Sequence, residues 1–581
     1  MKISLVGAEL EENLGLRYMA SALERDGHEV DIVAFNSDED VGRTAAQIVA
    51  SGAAIAGLSM VFTGRAREFC RLAEALREAG FRGHILAGGH FASFNAERIL
   101  RDFPAFDSIG LGEGEELICA LAANLGGVAG IAGLCYRAAD GSIVTNPSKG
   151  NPENLDALPF PKRTTFHEYY GKPIASILSS RGCWRNCAFC SINAWYERGG
   201  GRKFRIRSVE NIVAEMKELY FDHGVRIFNF QDDNFFLPNP EKALRRFEAL
   251  RDGLWREGIR DIAIAVKARP DSINADSIRV LDDLGLFRVF LGVENASQRA
   301  LDHLNRKSHI DEILNALRIL NDFDVHVAFN ILMFEPDTVL DDILVNLRFI
   351  ERHIDNPFNF CRAEAYAGTG LESKLVPEGR LLGNYFGFDY RLSDPHCEVF
   401  HQIANYAFFD RNFSDFGLHY FNMQVDFCFQ LLRRFYPAAL TQALRASVRN
   451  FIKQTNLDTY ECLCAIYDFV AGCDPHDQVA ICAFARRLRE RVDDGSAALH
   501  DGGQAVLDAL DDACKNAGQQ RPAAVPPERL PFRTSRPAPY RGLATMFDNE
   551  SSQPAWFGVL ATPIPYGDFK RHLEESHYGN R

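Results

Sequence analysis

Cys183, Cys187 and Cys190 stand in the run Arg-Gly-Cys-Trp-Arg-Asn-Cys-Ala-Phe-Cys-Ser. Three thiolates at this spacing, on a loop leaving an apolar strand, suit an iron-sulfur cluster with one iron left open to a small chelating molecule. Structural zinc asks for four closed ligands, and the next His or Cys after Cys190 is His223, beyond a predicted helix. A disulfide with a spare thiol asks for an oxidising compartment, whereas the sequence reads as carrying neither a signal peptide nor an apolar stretch able to span a bilayer. The cluster is the reading these residues support best. Other cysteines, such as Cys70, Cys119 and Cys482, sit singly in apolar segments and read as reduced thiols. Cys462 and Cys464 read as residents of a packed helix rather than metal ligands.

Positioning such a loop requires a rigid scaffold, and the chain alternates strand and helix patterns over most of its length. Short β-branched runs predict strands over 3–6, 29–33, 54–59, 84–87 and 106–111, with helices such as 14–26 and 65–79 between them, the pattern of a doubly wound parallel sheet. Ligands of such sheets lie beyond the carboxyl ends of the strands. There the sequence places Gly57-Leu58-Ser59-Met60, Gly88-Gly89-His90-Phe91 and Gly112-Glu113-Gly114-Glu115. No Gly-x-Gly-x-x-Gly follows the first strand, which disfavours a dinucleotide, while repeated glycines admit something broad and flat. A plain response-regulator-like domain is the bland alternative.

Residues 136–171 include a Pro- and Asn-rich stretch that reads as a linker or strap. A second alternation follows over 172–375, with strands predicted over 173–179, 226–231, 261–267, 287–293, 326–333 and 360–365, and helices over 208–223, 240–257, 275–284, 311–323 and 338–353. Six repeats predict a partial (β/α)6 barrel of the TIM type, whose reacting groups gather at strand carboxyl ends. Cys183 to Cys190, Gln231-Asp232-Asp233, Arg269, Glu294, Asn330 and Glu335 are expected there. Residues 376–516 read as an α-helical cap rich in Phe and Tyr, and 517–581 as a Pro-rich linker and tail. The whole is an α/β chain with a Rossmann-like (flavodoxin-like) domain over 1–135, a barrel and a helical C-terminal domain.

With 581 residues, 46% of them hydrophobic, the chain is too long for one core and too apolar for disorder. Its formal charge of −14 argues against nucleic acid or an anionic membrane as main partner, leaving a small-molecule substrate.

The cysteine run, with Phe189 before its last cysteine, resembles the signature of the radical S-adenosylmethionine (SAM) superfamily. Asn13-Leu14-Gly15-Leu16-Arg17-Tyr18-Met19-Ala20, Ala87-Gly88-Gly89-His90 and Gly112-Glu113-Gly114-Glu115 resemble the cobalamin-binding domain that precedes many radical SAM cores. The resemblance implies a [4Fe-4S] cluster on Cys183, Cys187 and Cys190, and SAM held near Phe189, Gln231, Asp232, Asp233, Arg269 and Glu294. It implies cobalamin near Asn13, Leu14, Gly15, Ser59, Met60, Gly88, Gly89, His90, Gly112, Glu113 and Gly114. One departure matters: the loop after the first strand lacks the Asp-x-His-x-x-Gly of the mutase-type domains, so the usual lower axial histidine is missing. The function implied is methyl transfer from SAM, by way of methylcobalamin, to an unactivated carbon of a natural-product type small molecule. It would take place in the cytoplasm, with a one-electron donor such as flavodoxin or ferredoxin. A cobalamin-dependent radical enzyme that does not methylate (ring contraction, cyclisation or hydration) and a corrinoid or iron-sulfur sensor without turnover are the alternatives.

Overall fold

The computed structural model describes residues 1–9, 12–413 and 417–517. The predicted Pro-rich linker and tail therefore lie outside the described residues, apart from residue 517. The first sheet contains β1 (Lys2–Gly7), β2 (Glu29–Ala34), β3 (Ile55–Ser59), β4 (His84–Gly88), β5 (Ser108–Gly110), β6 (Leu134–Arg137) and β7 (Ile143–Thr145). Their order is β2-β1-β3-β4-β5-β6-β7, parallel through β5. This is the flavodoxin-like 2-1-3-4-5 arrangement, which opens a crevice beyond the strand ends at the switch between β1 and β3. The strands are apolar because both faces are covered: Ile3, Leu5 and Leu16 pack on one side, and Val6, Leu58 and Phe69 on the other. The antiparallel pair β6 and β7 was not expected. It extends the sheet at β5 rather than building a ligand edge.

Two further strands, β8 (His167–Tyr169) and β9 (Lys172–Ile177), open the second sheet, and β10 (Ser180–Arg181) pairs with β11 (Arg205–Ile206) as a short antiparallel ladder around the cysteine loop. The sheet continues with β12 (Ile227–Phe230), β13 (Ala263–Ala268), β14 (Leu286–Glu294), β15 (His326–Phe334) and β16 (Phe358–Arg362). Strands β9 and β12 to β16 run parallel in order, six strand-helix repeats that form the partial barrel; β8 adds an antiparallel edge. Phe228, Phe230, Val266, Leu291 and Phe329 face the surrounding helices, while Asn229 and Lys267 alternate to the inner side. Asn330 lies mid-strand in β15 rather than at its end, and Glu335 follows β15 directly.

The C-terminal region departs from the expectation in two ways. It opens with a hairpin, β17 (Leu381–Asn384) and β18 (Gly387–Tyr390), before its helices. Its segment around Tyr390 packs at the carboxyl ends of β15 and β16, where Tyr390 Oη donates to the Ala363 carbonyl at 2.6 Å, while a helix covers the other end. Helix Leu418–Phe435 seals the opposite, amino-terminal end of the barrel, where Phe427 meets Phe287 at 5.1 Å and Tyr169 at 5.0 Å. Helix Pro395–Phe413 covers β16, with Phe408 5.2 Å from Phe360. The aromatic crowd is core, and Cys462 is fully buried within helix Gln442–Gly472.

Candidate two-cofactor site

The chain leaves β9 and turns sharply at Gly182, whose φ is +85° and whose backbone N–H donates to Asp233 at 3.0 Å. The loop then carries Cys183, Cys187 and Cys190 before helix Ile192–Gly199 begins. It is held on its outer side by Ala188, which donates to the Leu304 carbonyl and accepts from Leu371 N–H, both at 2.8 Å. Among the described residues, the three-ligand group with donor atoms all within 4.8 Å of one another is His303, Glu335 and Asp337, not the three cysteines. As placed, the three sulfurs do not converge as closely as the ligands of a single tetrahedral zinc. Burial pushes the Cys190 thiol up to about 12 and raises Cys183 as well. Cys187 is buried and faced by two guanidinium groups, Arg306 Nη1 at 3.4 Å and Arg269 Nη1 at 3.6 Å.

Beside the loop a cavity of about 310 Å³ opens between the two sheets. Its size lies at the lower end of the roughly 300–1,000 Å³ typical of small-molecule sites. From the first domain it is lined by Asn13, Gly15, Ser59, Gly88, Gly89, His90, Gly112, Glu113 and Gly114, nine of the eleven residues expected at cobalamin. Leu14 and Met60 do not line it: Leu14 is buried, and Met60 is fully buried, donating its N–H to the Gly88 carbonyl at 2.8 Å. A Cβ on Gly89, at φ +100°, would sit 3.0 Å from the Met60 carbonyl oxygen, so glycine is what this tight backbone approach admits. The other glycines likewise add no side-chain bulk to the wall, which leaves the backbone open to close approach by a broad ligand. His90 is the one histidine in the lining; it stacks on Trp195 with centroids 4.4 Å apart, and burial lowers its pKa to about 4.

The barrel supplies Leu178, Ser180, Arg181, Trp195, Tyr196, Gln231 and Asp233 to the same cavity. Asp233 is open to the cavity yet enclosed by protein. Burial raises its pKa to about 6, with Lys267 and the Gly182 N–H pulling the other way. Gln231 accepts from Lys267 Nζ at 3.0 Å. Four other residues expected at SAM do not line this cavity. Asp232 is fully buried, and its carboxylate accepts from Ser179 N–H, Ser179 Oγ at 2.7 Å and Ser180 Oγ at 2.5 Å, so it fixes the strand exit. Arg269 is turned away, bound to Asp271 at 2.9 Å and to Cys187. Glu294, at φ +64°, reaches Arg306 at 3.5 Å, and Phe189 packs on the apolar cluster of Leu304, Leu371 and Tyr390.

Trp195, Tyr196, Arg181 and Lys267 were missed in the sequence. Trp195 and Tyr196 sit close behind the last cysteine, and that proximity was the available signal. Glu113 receives Arg205 at 2.6 and 3.0 Å and Arg181 at 3.2 Å; burial would raise its pKa, but the two guanidiniums outweigh this and hold it below the ordinary range. Glu113 thus ties the two domains together as well as lining the cavity.

Fold and site define an α/β protein with a cavity walled by two sets of strand ends. Residues 177–349 match the radical SAM superfamily model and residues 5–122 the B12 binding domain model. The chain belongs to the radical SAM superfamily, among those members that carry a cobalamin-binding domain. An uncharacterized methyltransferase of Pyrococcus horikoshii is 26% identical over 380 residues, covering 64% of this chain and 79% of that protein. An anaerobic magnesium-protoporphyrin IX monomethyl ester cyclase of Synechocystis sp. is 29% identical over 265 residues, 44% of this chain and 51% of the cyclase, about half its length. The structure of the cobalamin-dependent SAM radical enzyme OxsB, with aqua-cobalamin and SAM bound, is similar in fold, with a TM-score of 0.65 at 16% identity over 89% of this chain and 84% of that chain. No helix among the described residues is long and apolar enough to cross a membrane.

Proposed function

We propose that this chain is a cobalamin-dependent radical SAM methyltransferase that adds a methyl group to an unactivated carbon of a small molecule. The observation that carries the reading is the single cavity walled by glycine-rich strand ends of one domain and by Gln231, Asp233, Trp195 and Tyr196 of the other. When bound, the cluster with SAM supplies one-electron bond cleavage, and cobalamin supplies a metal centre that accepts and donates methyl groups.

Cys183, Cys187 and Cys190 hold the cluster. Asp233 and Gln231, at the exit of β12, accept hydrogen bonds from the SAM ammonium, and Asp233 does so best when ionised. Lys267 holds Gln231 in place. Gly88, Gly89, Ser59, Gly112 and Gly114 let the backbone approach the corrin closely. Trp195, stacked on His90, and Tyr196 line the same cavity and would help to exclude water from it once the cofactors are bound. The reading places the protein in the cytoplasm, fed by a one-electron donor of the flavodoxin or ferredoxin type.

Anaerobic incubation of the reconstituted protein with trideuteromethyl SAM and candidate extracts tests it by mass spectrometry. Equal 5′-deoxyadenosine and S-adenosylhomocysteine with a labelled product is the expected result. Deoxyadenosine alone would replace methylation by the non-methylating radical chemistry for which the cyclase relative is named.

A further inference from the structure

Cys187 is treated differently from its two partners. Cys183 and Cys190 meet the backbone N–H groups of Arg185 and Ile192, whereas Cys187 meets two buried guanidinium groups, at 3.4 Å from Arg306 and 3.6 Å from Arg269. The chain goes to some length to deliver the first of these. Asn305 and Lys307, on either side of Arg306, both adopt left-handed backbone, with φ of +49° and +52°. Such a conformation is uncommon outside glycine, and it persists where the surroundings over-determine it. Here they do: Arg306 Nη2 donates to the Gly292 carbonyl at 2.6 Å, and the Arg306 carbonyl accepts from Arg269 Nη2 at 2.7 Å. Arg269 is fixed in turn by Ser308 Oγ at 2.9 Å and by Asp271.

Arg306 also faces Glu294 at 3.5 Å, and Asp271 is shared by Arg269 and Arg185, the latter at 2.7 Å. The side chains that donate to the sulfur itself are the two guanidiniums.

We propose that Arg306, backed by Arg269, is a positioning residue that raises the reduction potential of the cluster through Cys187. The inference rests on the reading that the three cysteines hold the cluster. One-electron reduction adds negative charge to the cluster without breaking a bond. A cation fixed against a ligating sulfur in a buried, low-dielectric place favours the reduced form. The electron comes from the external one-electron donor, here a chemical reductant such as dithionite or titanium(III) citrate.

The test is a potentiometric titration of the reconstituted, SAM-free protein followed by electron paramagnetic resonance, with iron and sulfide counted and circular dichroism recorded. Arg306→Met is expected to keep its fold and its cluster while its midpoint moves to a more negative potential. Arg306→Lys, which keeps the charge but loses the forked contact to Cys187 and Gly292, should move less in the same direction. If Arg306→Met does not retain a cluster, the lysine variant alone decides. A midpoint equal to wild type in a fully loaded variant overturns the inference. A shift that appears only after SAM is added overturns it too, since Arg306 would then act on the SAM carboxylate. Absence of iron and sulfide from the wild-type protein would instead sink the underlying cluster reading.

Discussion

A Cβ on Gly182 would lie 1.8 Å from the Lys203 carbonyl oxygen, a clash with backbone that no rotamer relieves, and its φ of +85° already disfavours any other residue. Left-handed backbone alone costs about 1–2 kcal/mol for an L-residue. Gly182→Ala should therefore leave the helical signal in circular dichroism intact and lower cluster iron several-fold, as colorimetric iron assay would report. Asp233 carries the other residue-scale prediction. Its pKa, raised by burial to about 6 from the ordinary 3.8, means that the carboxylate is ionised above that pH and neutral below it. Affinity for the cationic ammonium of SAM should thus be full near pH 7.5 and fall as pH drops through 6. Asp233→Asn should weaken binding by about 1.5–3 kcal/mol, roughly tenfold or more in Kd, and abolish that pH dependence, measured by calorimetry on the cluster-loaded protein. The cysteines and Asp233 were legible in the sequence because their types admit few chemistries. Arg269 was not legible. The sequence gives its distance from a strand end, but only the packing of the segment 305–308 decides that it turns toward Cys187 rather than toward the cavity.

Helix Ile192–Gly199 carries Trp195 and Tyr196 into the cavity, and one side chain of the strap pins its end. Buried Asn151 donates to the Tyr196 carbonyl at 2.9 Å, while its own N–H donates to the Gly200 carbonyl at 2.8 Å. Asn151→Ala leaves the Tyr196 carbonyl without that donor in a buried place, a cost of about 1–3 kcal/mol. The expected outcome is weaker cobalamin binding in an absorbance titration, with Trp fluorescence altered and SAM binding at Asp233 retained. An unchanged cobalamin affinity would show that this helix needs no strap. The strands of both sheets were readable as apolar, β-branched runs broken by glycines, since parallel strands buried on both faces leave that mark. The strap's role, the β6–β7 extension and the β17–β18 hairpin left no comparable mark. The four strands are only three or four residues long, too short for a period to register.

That hairpin bears on how the two domains stay together. Its two-residue tip, Tyr385-Phe386, reaches from beyond the last barrel strand to the first domain. Tyr385 Oη donates to Asp102 at 2.6 Å, Phe386 lies 5.6 Å from Phe91 and 5.8 Å from Phe103, and the Arg67 guanidinium sits 4.3 Å over the Phe386 ring. Across the cavity, Glu113 with Arg181 and Arg205 makes a second tie, buried and therefore little screened by salt. Aromatic pairs are worth about 0.5–1.5 kcal/mol each and an exposed cation–π contact about 0.5–1 kcal/mol, so the tip contributes roughly 1.5–4 kcal/mol to docking. Because both domains wall the cavity, the apparent cobalamin affinity equals the intrinsic affinity scaled by the docked fraction. Replacing Tyr385 and Phe386 together by alanine should then leave each domain's secondary structure in place, raise the cobalamin Kd, and expose the strap at residues 146–163 to trypsin. Bound cobalamin bridges both walls, so adding it should restore protease resistance in the variant. Resistance that stays at the wild-type level without cobalamin would mean that the remaining contacts between the domains keep them docked.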